Sequence, residues 1–256
     1  LMLTVVYSGL RHSKKTNMQN LDSFLDVSPF ALILLGAVFV HACFQLSVSV
    51  LTLLSSHSIG RRLPNNRLFN LNFWYITGVA VTIALLQLGA MATYRWASGW
   101  DSTLATIVTF AIIPFVALLM VFVYYRRGRG TQLWLPRPAA EYITTRAKKT
   151  KSSVEAFALG ATTAVAELPF ALAPLAIVAF AFQGFNSEHW LQLAIGYALA
   201  VTLPLIFVAL FLSSGHKVSS VQRWREDAKG YLKWTSAITL FVLMIYITVL
   251  QIGSMS

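Results

Sequence analysis

The sequence predicts an all-α polytopic membrane protein, with six transmembrane helices arranged as two inverted three-helix repeats. Three observations lead there. Hydrophobic residues make up 57% of the chain and charged residues only 11%, with a mean hydropathy of +0.66. Soluble domains carry about 25% charged residues, so this composition excludes an ordinary water-soluble fold. Second, the apolar residues gather into six continuous segments, at 29–54, 71–94, 103–125, 154–183, 189–213 and 232–252. Each exceeds the ~18 residues that mark a spanning helix, and none alternates as a barrel strand would. Third, the net charge of +11 comes mostly from short loops between these segments. That placement is what membrane topology requires, and it argues against a nucleic-acid surface.

Residues 1–27 do not fit the pattern. The apolar run Leu1–Leu10 is too short to cross a bilayer, and Arg11, Lys14 and Lys15 follow it where a signal peptide would place them first. Met18 would serve as a natural initiator, so this region is expected to be a tail, partly non-native. The first repeat is assigned to 28–126, a basic loop to 127–153 and the second repeat to 154–256.

Loop charges set the orientation. The first loop carries Arg61, Arg62 and Arg67. The third carries Arg126, Arg127, Arg129, Arg137, Arg146, Lys148, Lys149 and Lys151, and the fifth Lys217, Arg223, Arg225, Lys229 and Lys233. The second loop holds only Arg95 and Asp101, and the fourth Glu188. Loops one, three and five are therefore expected in the cytoplasm and both termini outside, in a bacterial-type inner membrane. Trp74, Tyr75, Tyr94, Trp96, Trp100, Tyr124, Tyr125, Trp190, Trp224, Tyr231 and Trp234 fall near segment ends, where amphipathic rings favour the interface.

Within the fourth segment, one carboxylate interrupts an apolar run. Glu167 lies in Gly160-Ala-Thr-Thr-Ala-Val-Ala-Glu-Leu-Pro-Phe-Ala-Leu-Ala-Pro174, with Pro169 and Pro174 close behind. A charge at bilayer depth costs about 2.5–3.5 kcal/mol on insertion scales, so such groups are as a rule functional or paired. The cost of ionising it makes Glu167 a candidate proton carrier, with packing through a neighbouring helix as the plainer reading. Thr163 and Pro174 share its face on a regular helix.

Laying Gly36–Leu51 over Gly160–Leu175 brings Cys43 opposite Glu167, and Ala80-Val-Thr82 echoes Ala200-Val-Thr202. Three helices on each side of the central loop would give the two halves opposite orientations. In the first segment His41 shares a face with Gln45, while Cys43 and Ser47 form a neighbouring row. His, Cys and Glu are together able to bind a borderline cation, but His41 and Cys43 do not project together from one helix, so no metal site is assigned. Gln87, Pro114 and Pro204 read as interhelical hydrogen bonds or kinks. The basic third loop, with Trp134–Pro138, reads first as topology control and second as a dock for anionic headgroups. No Ser-His-Asp or paired-carboxylate arrangement points to an enzyme, and no cofactor is expected. The lone cysteine excludes an internal disulfide.

Ser47-Val-Ser-Val-Leu-Thr-Leu-Leu-Ser-Ser-His-Ser-Ile-Gly-Arg-Arg62 resembles the first helix and basic turn of the lysine exporter superfamily. The six-helix layout with a basic central loop is similar to that superfamily too. The resemblance implies export of an amino acid, metal ion or other small solute. The same superfamily includes the thiol–disulfide electron carriers of cytochrome c biogenesis, which have one cysteine in the first helix of each repeat. Cys43 stands at the first such position, but Glu167 occupies the second, so a two-thiol cycle is not expected. Cys43-Phe-Gln-Leu-Ser47 also stands where the amino-acid exporters have Pro-Gly-Pro.

The expected function is proton-coupled export of a small solute or ion, along a path formed by Glu167, His41, Cys43, Gln45, Thr163, Pro169 and Pro174. The alternatives are a thiol or electron-transfer partner using Cys43 and a non-transporting assembly subunit. Expected partners are the transported solute, membrane lipid and a second copy in a homodimer.

Overall fold

The computed structural model describes residues 29–43, 46–60, 65–119, 121–122, 137–183, 186–214 and 218–255. The tail 1–27, Gln45 and the loop cations Arg61, Arg62, Arg126, Arg127, Arg129 and Lys217 lie outside them. Among the described residues the chain is helical, with no strand. The helices are α1 (Pro29–Cys43), α2 (Leu46–Gly60), α3 (Asn65–Trp100), α4 (Ser102–Leu119), α5 (Arg137–Lys149), α6 (Ser153–Ala166), α7 (Leu168–Ala181), α8 (Trp190–Ser213) and α9 (Val218–Met255).

Among the described residues, four helices are long and apolar enough to cross a membrane. Two bent pairs raise the number to six if each pair is one span: α1 with α2, turning by 46°, and α6 with α7, turning by 76°. The polarity of the bundle is that of a membrane protein. His41, Asn72, Gln87, Thr163, Glu167, Thr202 and Ser236 are buried, whereas Leu85, Ile107, Phe115, Val154, Phe207 and Ile245 are exposed. Apolar residues face outward where the solvent is lipid, and polar side chains retreat to the bundle interior, where partners exist.

Element boundaries differ from the expectation in five places. Two are in the first and last segments: 29–54 is bent into α1 and α2, and α9 begins well before 232, so Arg223, Arg225, Lys229 and Lys233 lie on a helix and not in a loop. At 36 residues, α3 is about 54 Å long, well beyond the segment 71–94 and beyond the bilayer core. Tyr75 therefore lies well inside the helix and is fully buried, and Tyr94 is buried edge-on against Phe180. Neither is an interfacial anchor. Trp96, Trp100, Trp224, Tyr231 and Trp234 are exposed, as anchors should be. The fourth segment is not one helix but two, broken at Glu167. The central basic loop contains a helix of its own, α5, seated on the bundle through Ile143 and Ala147.

Two glycines set the tightest crossing in the described bundle. A Cβ on Gly160 would strike the carbonyl oxygen of Tyr75, and one on Gly78 would strike that of Phe157. Small residues let membrane helices approach to backbone contact, where dispersion supplies the attraction that water cannot. The α3–α6 contact continues to the helix ends, where Asn70 Nδ2 donates to Ser153 Oγ at 3.0 Å and Arg67 donates to the Lys151 carbonyl at 3.3 Å. The starts of α3 and α6 thus share one end of the bundle. At the other end of α3, Arg95 lies over the ring of Trp190, which begins α8. Arg67 and Lys151 accordingly lie together at one end of α3, and Arg95 and Trp190 at the other.

Candidate functional site

Glu167 sits where α6 stops and α7 starts. A capping box opens α6: Ser152 Oγ accepts from Glu155 N, and the Glu155 carboxylate accepts from Ser152 N. The helix then runs to Ala166 and ends because of Pro169, whose ring cannot follow a regular turn against the Val165 carbonyl. As the second residue of α7, Pro169 starts a new helix at a position where a missing N–H costs nothing. The chain resolves the conflict by turning 76°. The Glu167 backbone is used in both directions. Its N–H donates to Thr163 and Ala164 carbonyls at 3.1 and 3.2 Å, and its carbonyl accepts from Phe170 N and Ala171 N at 3.0 and 3.1 Å. Its side chain is 3% exposed.

The other proposed residues divide by position. Thr163 is buried, with its hydroxyl donating to the Leu159 carbonyl at 2.7 Å. Pro174 is buried inside α7, whereas Pro169 is exposed on the outer face. The break means that Thr163 and Pro174 do not share one straight face with Glu167, as a regular helix would have had it. Cys43 is half-buried and ends α1. Gln45 lies outside the described residues. Among the described residues, no group of three His, Cys, Asp or Glu side chains lies together as a metal site would need.

His41 is almost fully buried, and its Nδ1 lies 2.7 Å from the Tyr197 hydroxyl of α8. This bond ties the first span of the first half to α8 of the second. Tyr197 was missed in the sequence. Its signal was available, since it stands in mid-segment and not at an end where anchoring tyrosines gather. Two further buried polar groups line α3. Gln87 Nε2 reaches the Leu175 carbonyl of α7 at 3.5 Å, while its Oε1 has no partner among the described residues. Asn72 Oδ1 accepts from Ser55 Oγ at 3.2 Å, while its Nδ2 has no partner among the described residues. Buried amides of this kind are costly in a purely structural role. The helices around α3 thus bury carboxylate, imidazole, phenol and amide groups inside the bundle.

No protein-family model, curated protein or solved structure matches the chain.

Proposed function

We propose that the chain is a membrane transporter that exports a small solute or ion across a bacterial-type inner membrane, with Glu167 as the protonatable switch. The observation that carries this reading is a buried carboxylate used as the turn of a broken, proline-started span. Interrupted helices near the middle of a bundle are where transporters place substrate and coupling-ion sites. A carboxylate there can take up a proton in one state and release it in another, linking protonation to alternating access.

The same proposal takes the two halves as an inverted repeat, a reading that part of the contact pattern supports. With Gly36 laid on Gly160, Cys43 stands in the register of Glu167, and the first span, like the fourth, is a bent pair. Exchanging the halves maps α4 on α7 to α9 on α2, and both contacts are present, whereas among the described residues α3 on α4 and α2 on α3 have no counterpart of like extent in α8 on α9 and α7 on α8. The same exchange keeps α3 on α8 and α4 on α9 as central contacts, also both present. Tyr75 of α3 lies at the glycine of α6, and Tyr197 of α8 at the histidine of α1. Each half thus sets a buried tyrosine against the broken span of the other. The proposed orientation, which rests on the loop charges, has the ends of α3 and α6 bearing Arg67 and Lys151 in the cytoplasm.

The test is solute flux from proteoliposomes across metals and amino acids under an imposed proton gradient. Glu167→Gln preserves shape, so the protein should insert normally and lose proton-dependent flux. Cys43→Ser should transport as before. The opposite pattern, with redox exchange lost in Cys43→Ser and flux normal in Glu167→Gln, would replace transport with a thiol-transfer role.

A further inference from the structure

The stretch between the halves builds a site of its own. In α5, Ile143, Ala147 and the following Thr150 form a buried stripe, leaving Tyr142, Arg146, Lys148 and Lys149 exposed. Between α5 and the first turns of α6 lies a cavity of about 200 Å3, lined among others by Tyr142, Arg146, Lys149, Glu155, Ala158 and Thr162. Its charges do not cancel. The Glu155 carboxylate accepts from the Lys151 and Ser152 backbone N–H groups at 2.7 and 3.3 Å, which fixes it at the helix start. Two cations against one carboxylate leave a single positive charge, the complement of one phosphodiester. Arg146 lies over the Tyr142 ring at 5.5 Å, so its planar fork is held in place.

The cavity opens onto an apolar wall. Val154, Ala158 and Val165 are exposed along one side of α6. Thr162, between them, turns its hydroxyl onto the Ala158 carbonyl at 2.8 Å and so presents its methyl side. The capping box at Ser152 marks where this helix begins, and the cations lie level with that end. Polar headgroup chemistry at one end and a bare apolar helix face below it describe a lipid. We infer that this cavity binds an anionic glycerophospholipid, with its phosphodiester between Arg146 and Lys149 and an acyl chain along Ala158, Thr162 and Val165. Basic pockets at helix ends in the headgroup layer are suited to such lipids, whereas free phosphate would leave the apolar wall without a partner.

The experiment uses the full chain in neutral detergent, with lipid retention read by native mass spectrometry and thermal unfolding. Phosphatidylglycerol should be retained and should stabilise the protein, whereas phosphatidylcholine and inorganic phosphate should do neither. Arg146→Gln with Lys149→Gln should weaken phosphatidylglycerol binding by roughly thirtyfold, about fivefold for each cation. Ala158→Trp, which fills the groove and keeps both charges, should also abolish retention, and it decides the matter if the double variant is poorly folded. Lys233→Gln, which removes a cation beside Trp234, should bind the lipid as before. Equal retention of the two lipids, stabilisation by phosphate alone, or unchanged binding in both groove variants would overturn the site. None of these measurements depends on transport.

Discussion

Between α6 and α7 the chain turns by 76°, and between α1 and α2 by 46°. The wider turn has a proline at the second position of its outgoing helix and a carboxylate as the turn residue, whereas residues 36–51 contain no proline. Their anchoring differs as well. Gly160 meets backbone of α3, an obstacle that cannot rotate away, while Gly36 meets only the side chain of Leu243, whose Cδ2 is 2.8 Å from where a Cβ would stand. His41 lies within α1, and its polar bond is to a tyrosine of the other half. The second broken span is therefore clamped by backbone against α3, and the first is held by side chains that can rearrange. In a transporter built this way, relative motion of the halves should be carried by α1 and α2.

The comparison breaks most severely at the clamp. Gly160→Leu and Gly78→Leu should prevent accumulation of folded protein, and Gly160→Ala should cost about 3 kcal/mol, the upper end for overpacking, because the obstructing atoms are backbone. Thermal unfolding in detergent measures this, and a wild-type midpoint for Gly160→Ala would remove the clamp. His41→Ala should come next, at about 3 kcal/mol, through a cavity and a buried Tyr197 hydroxyl left without its partner. Tyr197→Phe should cost about 1–2 kcal/mol, since only the hydrogen bond is lost. A double-mutant cycle in which the two effects simply add would show that the bond does not tie α1 to α8.

Glu167→Asp keeps the carboxylate and shortens its reach. Proton-dependent flux should persist with a displaced pH profile, and an unchanged profile would mark Glu167 as a packing residue. The smallest effect is expected at Gly36→Ala. There the roughly 1 kcal/mol gained in helix propensity offsets the cost of rotating Leu243, so stability should change by less than about 1 kcal/mol. A loss as large as that at Gly160 would make the two spans equally rigid and end the distinction drawn between them.

Much of this architecture was legible in the residues. Each apolar segment contains a helix because lipid transfer is decided residue by residue, and an apolar run cannot leave its backbone unsatisfied in hydrocarbon. Glu167 was visible for the same reason, as the carboxylate in the middle of its segment, whereas Glu155 stands at the segment's start. The break at Glu167 was half legible. Pro169 announced an interruption, but not that the helix would resume at once and turn by 76°. The helix α5 was missed because its apolar stripe, Ile143 and Ala147, is too sparse to register until it meets the ends of α2 and α6. Tyr75 and Tyr94 were misassigned because proximity to the end of an apolar run was taken as proximity to the interface, and α3 extends past that run at both ends.

The sequence by itself determined the solvent of this protein, its helical class and the segments able to cross a membrane, because composition and hydropathy are sums over single residues. It also singled out Glu167, whose chemistry stands out against its neighbours. Only the tertiary structure decided that Gly160 faces the backbone of Tyr75, that His41 finds Tyr197, and that Arg146 and Lys149 flank an apolar groove on α6. Each of these joins residues on different helices. Pairing of that kind is set by how close two helix surfaces can come and which polar groups need partners there, neither of which is written in any one segment.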